Sequence, residues 1–440
     1  MYGSDWLRRP ILLMVSVLVA AGALYLFAGW GLRRTAPSKG FLVWVLVAGA
    51  LMRLVTIPSL PILEDDFYRY LWDGGVVAEG HNPYAYAPKD VLDGSEGVPA
   101  ELVELAHDSG KVAERVNHPR IRTIYPPVAQ ASFALAHVIR PWSIIAWRIV
   151  LLGLDVAVVV LLLAILRRAG LPLLWVAVYW WNPLVVKELF NSSHLDVLAL
   201  PFVLGAVLLV LRRRIVWAAA VLALGVGTKV WPVVLLPFVL RPVFGEPKRL
   251  VAALAVFALL SAAMLVPLYA AGLDPTSGFV AYGERWEMND AAFMLVRRPV
   301  KWVIGDPAHA RLAARLIVAA LLVAWIAWLA RRPISGPLDL CNRALFAVAA
   351  AFLLSPTQFP WYYVWIVPLL AIRPRFSLML LTALLPLYYL RFHLAARGMV
   401  KLFDNGIVWI EYVPVWAMLI WEWYAERRKR LAPGRAEAVA

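Results

Sequence analysis

The sequence has a single cysteine, Cys341, in 440 residues, which excludes a disulfide framework and a cage of thiolate metal ligands. Charge is scarce as well. Only 16% of residues are Asp, Glu, Lys or Arg and 62% are hydrophobic, where a soluble domain has about 25% and about 45–50%. An ordinary water-soluble enzyme is thereby excluded. There is no Walker loop, no GxGxxG after a strand, no HExxH and no GxSxG, so neither an ATP-driven pump nor a transferase that holds a nucleotide-sugar in a Rossmann-type domain fits. Acid is the rarer sign: 28 Asp plus Glu against 43 Lys plus Arg leave a formal charge of +15. No basic face interleaved with stacking aromatics can be drawn, which removes nucleic acid as a partner.

What the chain has instead is 21 Trp, 16 Tyr and 31 Pro, a mixture suited to bilayer interfaces and to membrane helices that tolerate proline. A crossing needs about 20 apolar residues. The run at 10–30 meets this without the small-residue pattern of a cleaved signal peptide. Further runs lie at 41–61, 146–166, 173–187, 195–211, 215–228, 230–241, 250–270, 311–330, 343–356, 361–372, 376–390 and 407–424. The expected fold is an all-α polytopic membrane protein of about thirteen transmembrane helices, one domain over residues 1–440.

Orientation follows the Lys and Arg of the short loops. Arg33, Arg34 and Lys39, Arg167 and Arg168, Arg212 to Arg214, Arg241, Lys248 and Arg249, Arg331, Arg332 and Arg343, Arg373 and Arg375, and the 425–440 tail can share one face, the cytoplasmic one. The N-terminus and the segments 62–145, 188–194, 271–310, 357–360 and 391–406 then lie on the other. This scheme requires the apolar stretch 125–140, entered through Tyr125-Pro126-Pro127, to lie along the membrane surface rather than cross it. Between Leu60 and Thr123 the first outer loop holds twelve of the 28 acidic residues and six basic ones.

That loop opens with Glu64-Asp65-Asp66-Phe67-Tyr68-Arg69-Tyr70-Leu71-Trp72-Asp73-Gly74. Adjacent carboxylates at a membrane exit need a cation, a metal or a shared proton. In a helix, Asp66, Arg69, Tyr70 and Asp73 fall on one face, which joins a base, a cation, a hydroxyl and a second acid; a solvated helix-capping cluster accounts for the pattern equally well. Asn82 and Tyr84 follow in a turn-rich piece, Gly80-His81-Asn82-Pro83-Tyr84, whose ring suits a sugar face or the headgroup level. His194 and Asp196 sit at the mouth of an apolar run, costly unless they face a cavity. Lys229, between Gly227 and Pro232, either snorkels to the interface or pairs with an anion. Trp286, Arg297 and Arg298 lie in an outer segment that mixes rings with both signs of charge, and Trp361 and Tyr362 in a rigid aromatic turn. Each is also what an ordinary outer loop contains. Asp155, inside an apolar run, costs about 3 kcal/mol if unpaired; its partner is expected to be Arg148 or a residue of a neighbouring helix.

The pattern Asp66-x-x-Arg69-Tyr70-x-Trp72-Asp73-Gly74, then Gly80-x-Asn82-Pro83-Tyr84, Tyr125-Pro126-Pro127, His194-Leu195-Asp196, Lys229 with Pro232, and Pro360-Trp361-Tyr362, resembles the GT-C superfamily of integral-membrane glycosyltransferases. More narrowly it is similar to bacterial polyprenol-phosphate-mannose-dependent mannosyltransferases, over roughly residues 40–370. The resemblance implies a GT-C-like bundle in the bacterial inner membrane, with the active site on the extracytoplasmic side and surface helices in the 62–145 loop. It implies a catalytic acid at Asp66, with Asp65 as rival, and a leaving-group cation at Arg69. The sequence departs from the pattern in an additional span before the catalytic loop and in an acidic pair that follows Glu64, so Asp65 and Asp66 also have the donors for a divalent cation, Mg or Mn.

The expected reaction moves a sugar, mannose by the resemblance, from a polyprenyl-phosphate-linked donor to a hydroxyl of a lipid or glycan acceptor. Asp66 takes the proton, and Arg69, Lys229, Arg297 and Arg298 are available to the phosphate. Tyr70, Asp73, Asn82, Tyr84, Tyr125, His194, Asp196, Trp286, Trp361 and Tyr362 are the candidates for holding substrate. A proton-coupled transporter or lipid-linked-sugar flippase is the alternative; against it, the two halves show no inverted repeat.

Overall fold

The computed structural model describes residues 8–431. Among these the chain is helical, and β structure is confined to one bridge between Met288 and Thr357. Seven helices are long and apolar enough to cross a membrane: Ile11–Leu32, Lys39–Thr56, Ile144–Arg168, Pro247–Ala270, Pro307–Ala330, Pro337–Leu354 and Phe376–Ala395. The 22 residues of the first extend about 33 Å, enough for a hydrocarbon layer of about 30 Å. Several begin at a local cap, as where the Ser38 hydroxyl accepts from the Phe41 N–H at 3.1 Å and the Asp306 carboxylate from His309 at 2.8 Å.

Thirteen apolar runs do not become thirteen straight crossings. Pro183–Asn191 and Leu195–Leu211 pass the length test only together, bent by 107°. The runs at 173–187, 230–241 and 361–372 break into short helical pieces, because Pro183, Pro232, Pro237, Pro360 and Pro368 each remove a backbone donor. The run at 407–424 lies on the helix Val408–Leu431, which carries the start of the basic tail; residues 432–440 lie outside the described ones.

The stretch 125–140 forms the helix Pro127–Ile139, whose 13 residues reach only about 20 Å and cannot cross. It packs on the loop helix Asp66–Ala78. Gly74 permits the approach, since a Cβ there would strike the Phe133 carbonyl; Tyr70 stacks on Phe133 at 4.9 Å.

Two arginines tie the bundle together. Asp155 pairs with Arg53 of the neighbouring helix Lys39–Thr56, not with Arg148, and accepts a hydrogen bond from the Tyr179 hydroxyl at 2.5 Å. Arg53 also donates to the carbonyls of Gly49 and Trp180 and lies over the Trp180 ring, a packing that leaves no space for a side chain at Gly49. Arg148 faces the other way. It donates to the carbonyls of Ile57, Ser59 and Asn191 and to the Ser193 hydroxyl, which pins the bend in the broken pair, where Ser193 has φ +64°, to the exit of the second crossing.

Candidate active site

The first outer loop turns back at Glu64 and starts a helix at Asp66, in the first turn, where the backbone dipole favours a carboxylate. Asp66, Arg69 and Tyr70 lie on one face of that helix, as the spacing predicts, and line a cavity of about 670 Å³. The rest of the wall comes from far along the chain: the returning segment of the loop from Asn117 to Pro126, then Asp196, Lys229 and Trp231, then Tyr282 and Trp286, then Trp361, Tyr362 and Trp365.

Asp66 has one firm partner, the Asn117 amide, which donates to its Oδ1 at 2.5 Å. Burial, and after it the adjacent Asp65, push the Asp66 carboxyl up to about 6. Asp65 is not on the cavity wall; it stands at the helix start without a side-chain capping bond and takes the longer Asn117 contact, 3.3 Å. Arg69 is buried and donates to the carbonyls of Asn117 and His118 at 3.0 and 3.1 Å, so it closes the loop as well as facing the cavity. Opposite, Lys229 puts its ammonium 2.6 Å from Asp196 and 3.9 Å above the Tyr362 ring, while Trp365 donates to the same Asp196 oxygen at 2.7 Å. Tyr282 bonds to Thr357 at 2.8 Å and to Tyr362 at 3.0 Å, and its ring stacks on Trp286. The cavity is thus acidic on one wall, cationic on another and aromatic on a third.

A family model described as alpha-(1->6)-mannopyranosyltransferase, N-terminal domain, matches residues 3–244, more than half of the chain and all of the acidic loop. The chain belongs to the alpha-(1->6)-mannopyranosyltransferase family. No curated protein and no solved structure matches it. Membership decides between enzyme and transporter in favour of mannosyl transfer, with a sugar donor and a glycan acceptor as its substrates.

In this mannosyltransferase the other sequence candidates have different duties. Asp73 lies one turn too deep: the surface helix covers it, and Gln130 donates to it at 3.1 Å. Asn82 donates to the Pro267 carbonyl and Tyr84 to that of Tyr125, at 3.0 and 2.7 Å, which braces the loop against the bundle. Tyr125 remains on the wall. Arg297 pairs with Glu287 at 2.6 Å and Arg298 donates to Asn405 at 2.8 Å. Neither lines the cavity, so the structure does not bring this pair together with the other residues expected to face the phosphate. His194 also stays off the wall, stacked beneath Trp361 at 4.0 Å.

Four residues behind the wall went unread as a set. Lys187 sits 2.6 Å from Glu64 and 3.3 Å from Glu188, and Tyr389 donates to Glu188 at 2.5 Å. Burial alone would raise the Glu64 carboxyl, but Lys187 brings it down to about 2. A charged pair ending an apolar run, Lys187-Glu188, was the available signal, by the rule that singled out Asp155. Glu64, Glu188 and His194 place donor atoms within 4.8 Å of one another, as a metal site would. They do not fit a resident dication, because the Lys187 ammonium already holds both carboxylates and a second positive ion would be pressed against it.

Proposed function

We propose that this mannosyltransferase takes mannose from a polyprenyl-phosphate-linked donor and delivers it, with inversion, to an acceptor hydroxyl, using Asp66 as the general base. The observation that carries this reading is the placement of a single partly exposed carboxylate, near neutrality at about 6, on the wall of a cavity lined elsewhere by Lys229 and aromatic rings. A base works best when its pKa lies close to the working pH.

In the reaction the acceptor O–H bond breaks toward Asp66, the oxygen bonds to the anomeric carbon, and the bond from that carbon to the phosphate oxygen breaks. The electron pair leaves on the lipid phosphate. Lys229 stands ready to meet its charge, the Trp286 and Tyr362 rings offer faces for a pyranose, and general-base catalysis contributes about 100-fold to 10,000-fold. The cavity draws on the segments that the basic-loop rule puts outside. The basic turns also meet each other, Arg168 at the Leu211 carbonyl, Arg241 at Ala330, Arg343 at Arg332 and Arg375 at Glu426, which supports one cytoplasmic face and an extracytoplasmic site in the bacterial inner membrane.

The test is transfer from purified polyprenyl-phosphate-mannose. Asp66→Asn is expected to lose about 1,000-fold in rate and Asp65→Asn less than about tenfold. In the unaltered enzyme kcat/KM should fall as pH drops through about 6, since only the ionised carboxylate accepts a proton. Full transfer by Asp66→Asn would sink the assignment.

A further inference from the structure

His194 is fully buried at the bend of the broken helix pair, and neither ring nitrogen has a hydrogen-bond partner. Each nevertheless faces a carboxylate. Nδ1 is 3.6 Å from Oδ2 of Asp66 and Nε2 is 3.6 Å from Oε2 of Glu188. The stacked Trp361 ring holds the imidazole in the line between them.

We propose that the base is a three-group unit, Asp66–His194–Glu188, one proton short of saturation, in which His194 and Glu188 act as positioning residues that make Asp66 a better proton acceptor. This rests on the assignment of Asp66 as the base. A neutral imidazole has one N–H and one lone pair. Between two ionised carboxylates it can satisfy only one, so the other gap sets lone pair against lone pair, and 3.6 Å is too long for a hydrogen bond. One added proton resolves this: a protonated Asp66 donates to Nδ1 while Nε2–H donates to Glu188. The proton that fills the gap is the one the acceptor hydroxyl gives up as its oxygen bonds to the anomeric carbon. After the product leaves, Asp66 returns the proton to water across its exposed edge, 27% of the side chain, and the unit is reset.

Other charges bear on the unit from each packed element. Asp65, Glu64, Arg69 and Lys229 act on Asp66; Glu64, Lys187 and Lys229 act on His194; Lys187, Glu64 and Tyr389 act on Glu188. Lys187 closes the far end, holding Glu188 in place and leaving the cavity end as the only one that opens on substrate.

The experiment is the pH profile of kcat/KM in the full-length enzyme. His194→Phe keeps a ring against Trp361 but has no acceptor for a protonated Asp66, so the acid limb moves to lower pH by about one unit and kcat falls about tenfold or more, with KM for the lipid-linked donor unchanged. Glu188→Gln, which alters little but charge, moves the limb the same way by less, and carries the test alone if His194→Phe is not recovered folded. A limb that stays in place or moves up in either folded variant overturns the unit, because a purely structural loss lowers the rate without shifting the limb. Asp66→Asn separates the two ideas: if it is inactive and the limb is unmoved, only the three-group unit fails; if it is active, the base assignment fails with it.

Discussion

Two clusters of buried charge lie in this bundle, and they differ in what they leave over. Around Asp155 both carboxylate oxygens are engaged, by Arg53 and by Tyr179, and of the Arg53 nitrogens only Nη2 lacks an acceptor. None of these three residues lines the cavity. Around His194 the inner charges are buried as well, yet both ring nitrogens are unengaged and Asp66 borders open space. The first cluster resembles any membrane-buried ion pair, expensive to bury and expensive to break. Burial of charge therefore does not mark a reactive site inside a membrane; unused hydrogen-bonding capacity beside a cavity does.

The contrast can be broken most forcefully at the closed cluster. Asp155→Leu leaves Arg53 buried and unpaired, and should destabilise the protein by about 3–5 kcal/mol, read as a lower unfolding temperature in detergent. Arg53→Leu combined with Asp155→Leu should regain most of that loss, and mannosyl transfer per folded molecule should stay within about twofold throughout. A transfer rate that fell in folded Asp155→Leu would show that the two clusters are not separable. A smaller effect is expected at the cavity itself. Lys229→Met removes the cation proposed to meet the donor phosphate and should raise KM for the lipid-linked sugar about tenfold to 100-fold, the range of one charge-assisted hydrogen bond, with folding preserved best when Asp196→Asn accompanies it. The smallest effect belongs to Arg298→Gln, whose side chain reaches Asn405 and not the cavity: kcat/KM should change less than about twofold. Equal losses for Lys229→Met and Arg298→Gln would remove the distinction between wall and surface on which the donor assignment depends.

Much of the acidic wall was legible in the sequence because helical periodicity is local. Asp66, Arg69 and Tyr70 share a face at three- and four-residue spacing whatever surrounds them. Asp73 obeys the same period, but a second helix packs over the deeper turn, and no local rule foretells where Pro127–Ile139 will lie. Apolar length overcounted the crossings for a similar reason. Hydropathy sums over a proline as if the helix continued, whereas Pro232 and Pro360 each start a new short helix. Asn117 and His118 carried no pattern at all; they reach the cavity because Arg69 draws the returning loop onto the helix start. Lys187 and Glu188 were readable as intramembrane charges, but only the fold brings Glu64 to meet them.

The cavity wall is drawn from both sides of residue 244, where the family match stops. Asp66, Asp196 and Lys229 lie before it; Tyr282, Trp286, Trp361 and Tyr362 lie after it. Under the proposed mechanism the base and the phosphate's counter-charge thus belong to one stretch of chain, and the Trp286 and Tyr362 rings proposed to face a pyranose to another. If the proposed roles hold, substitution among those rings would retune how a sugar is held while the proton acceptor and the phosphate's counter-charge stay as they are: a machine whose jaw can be refitted without touching its blade.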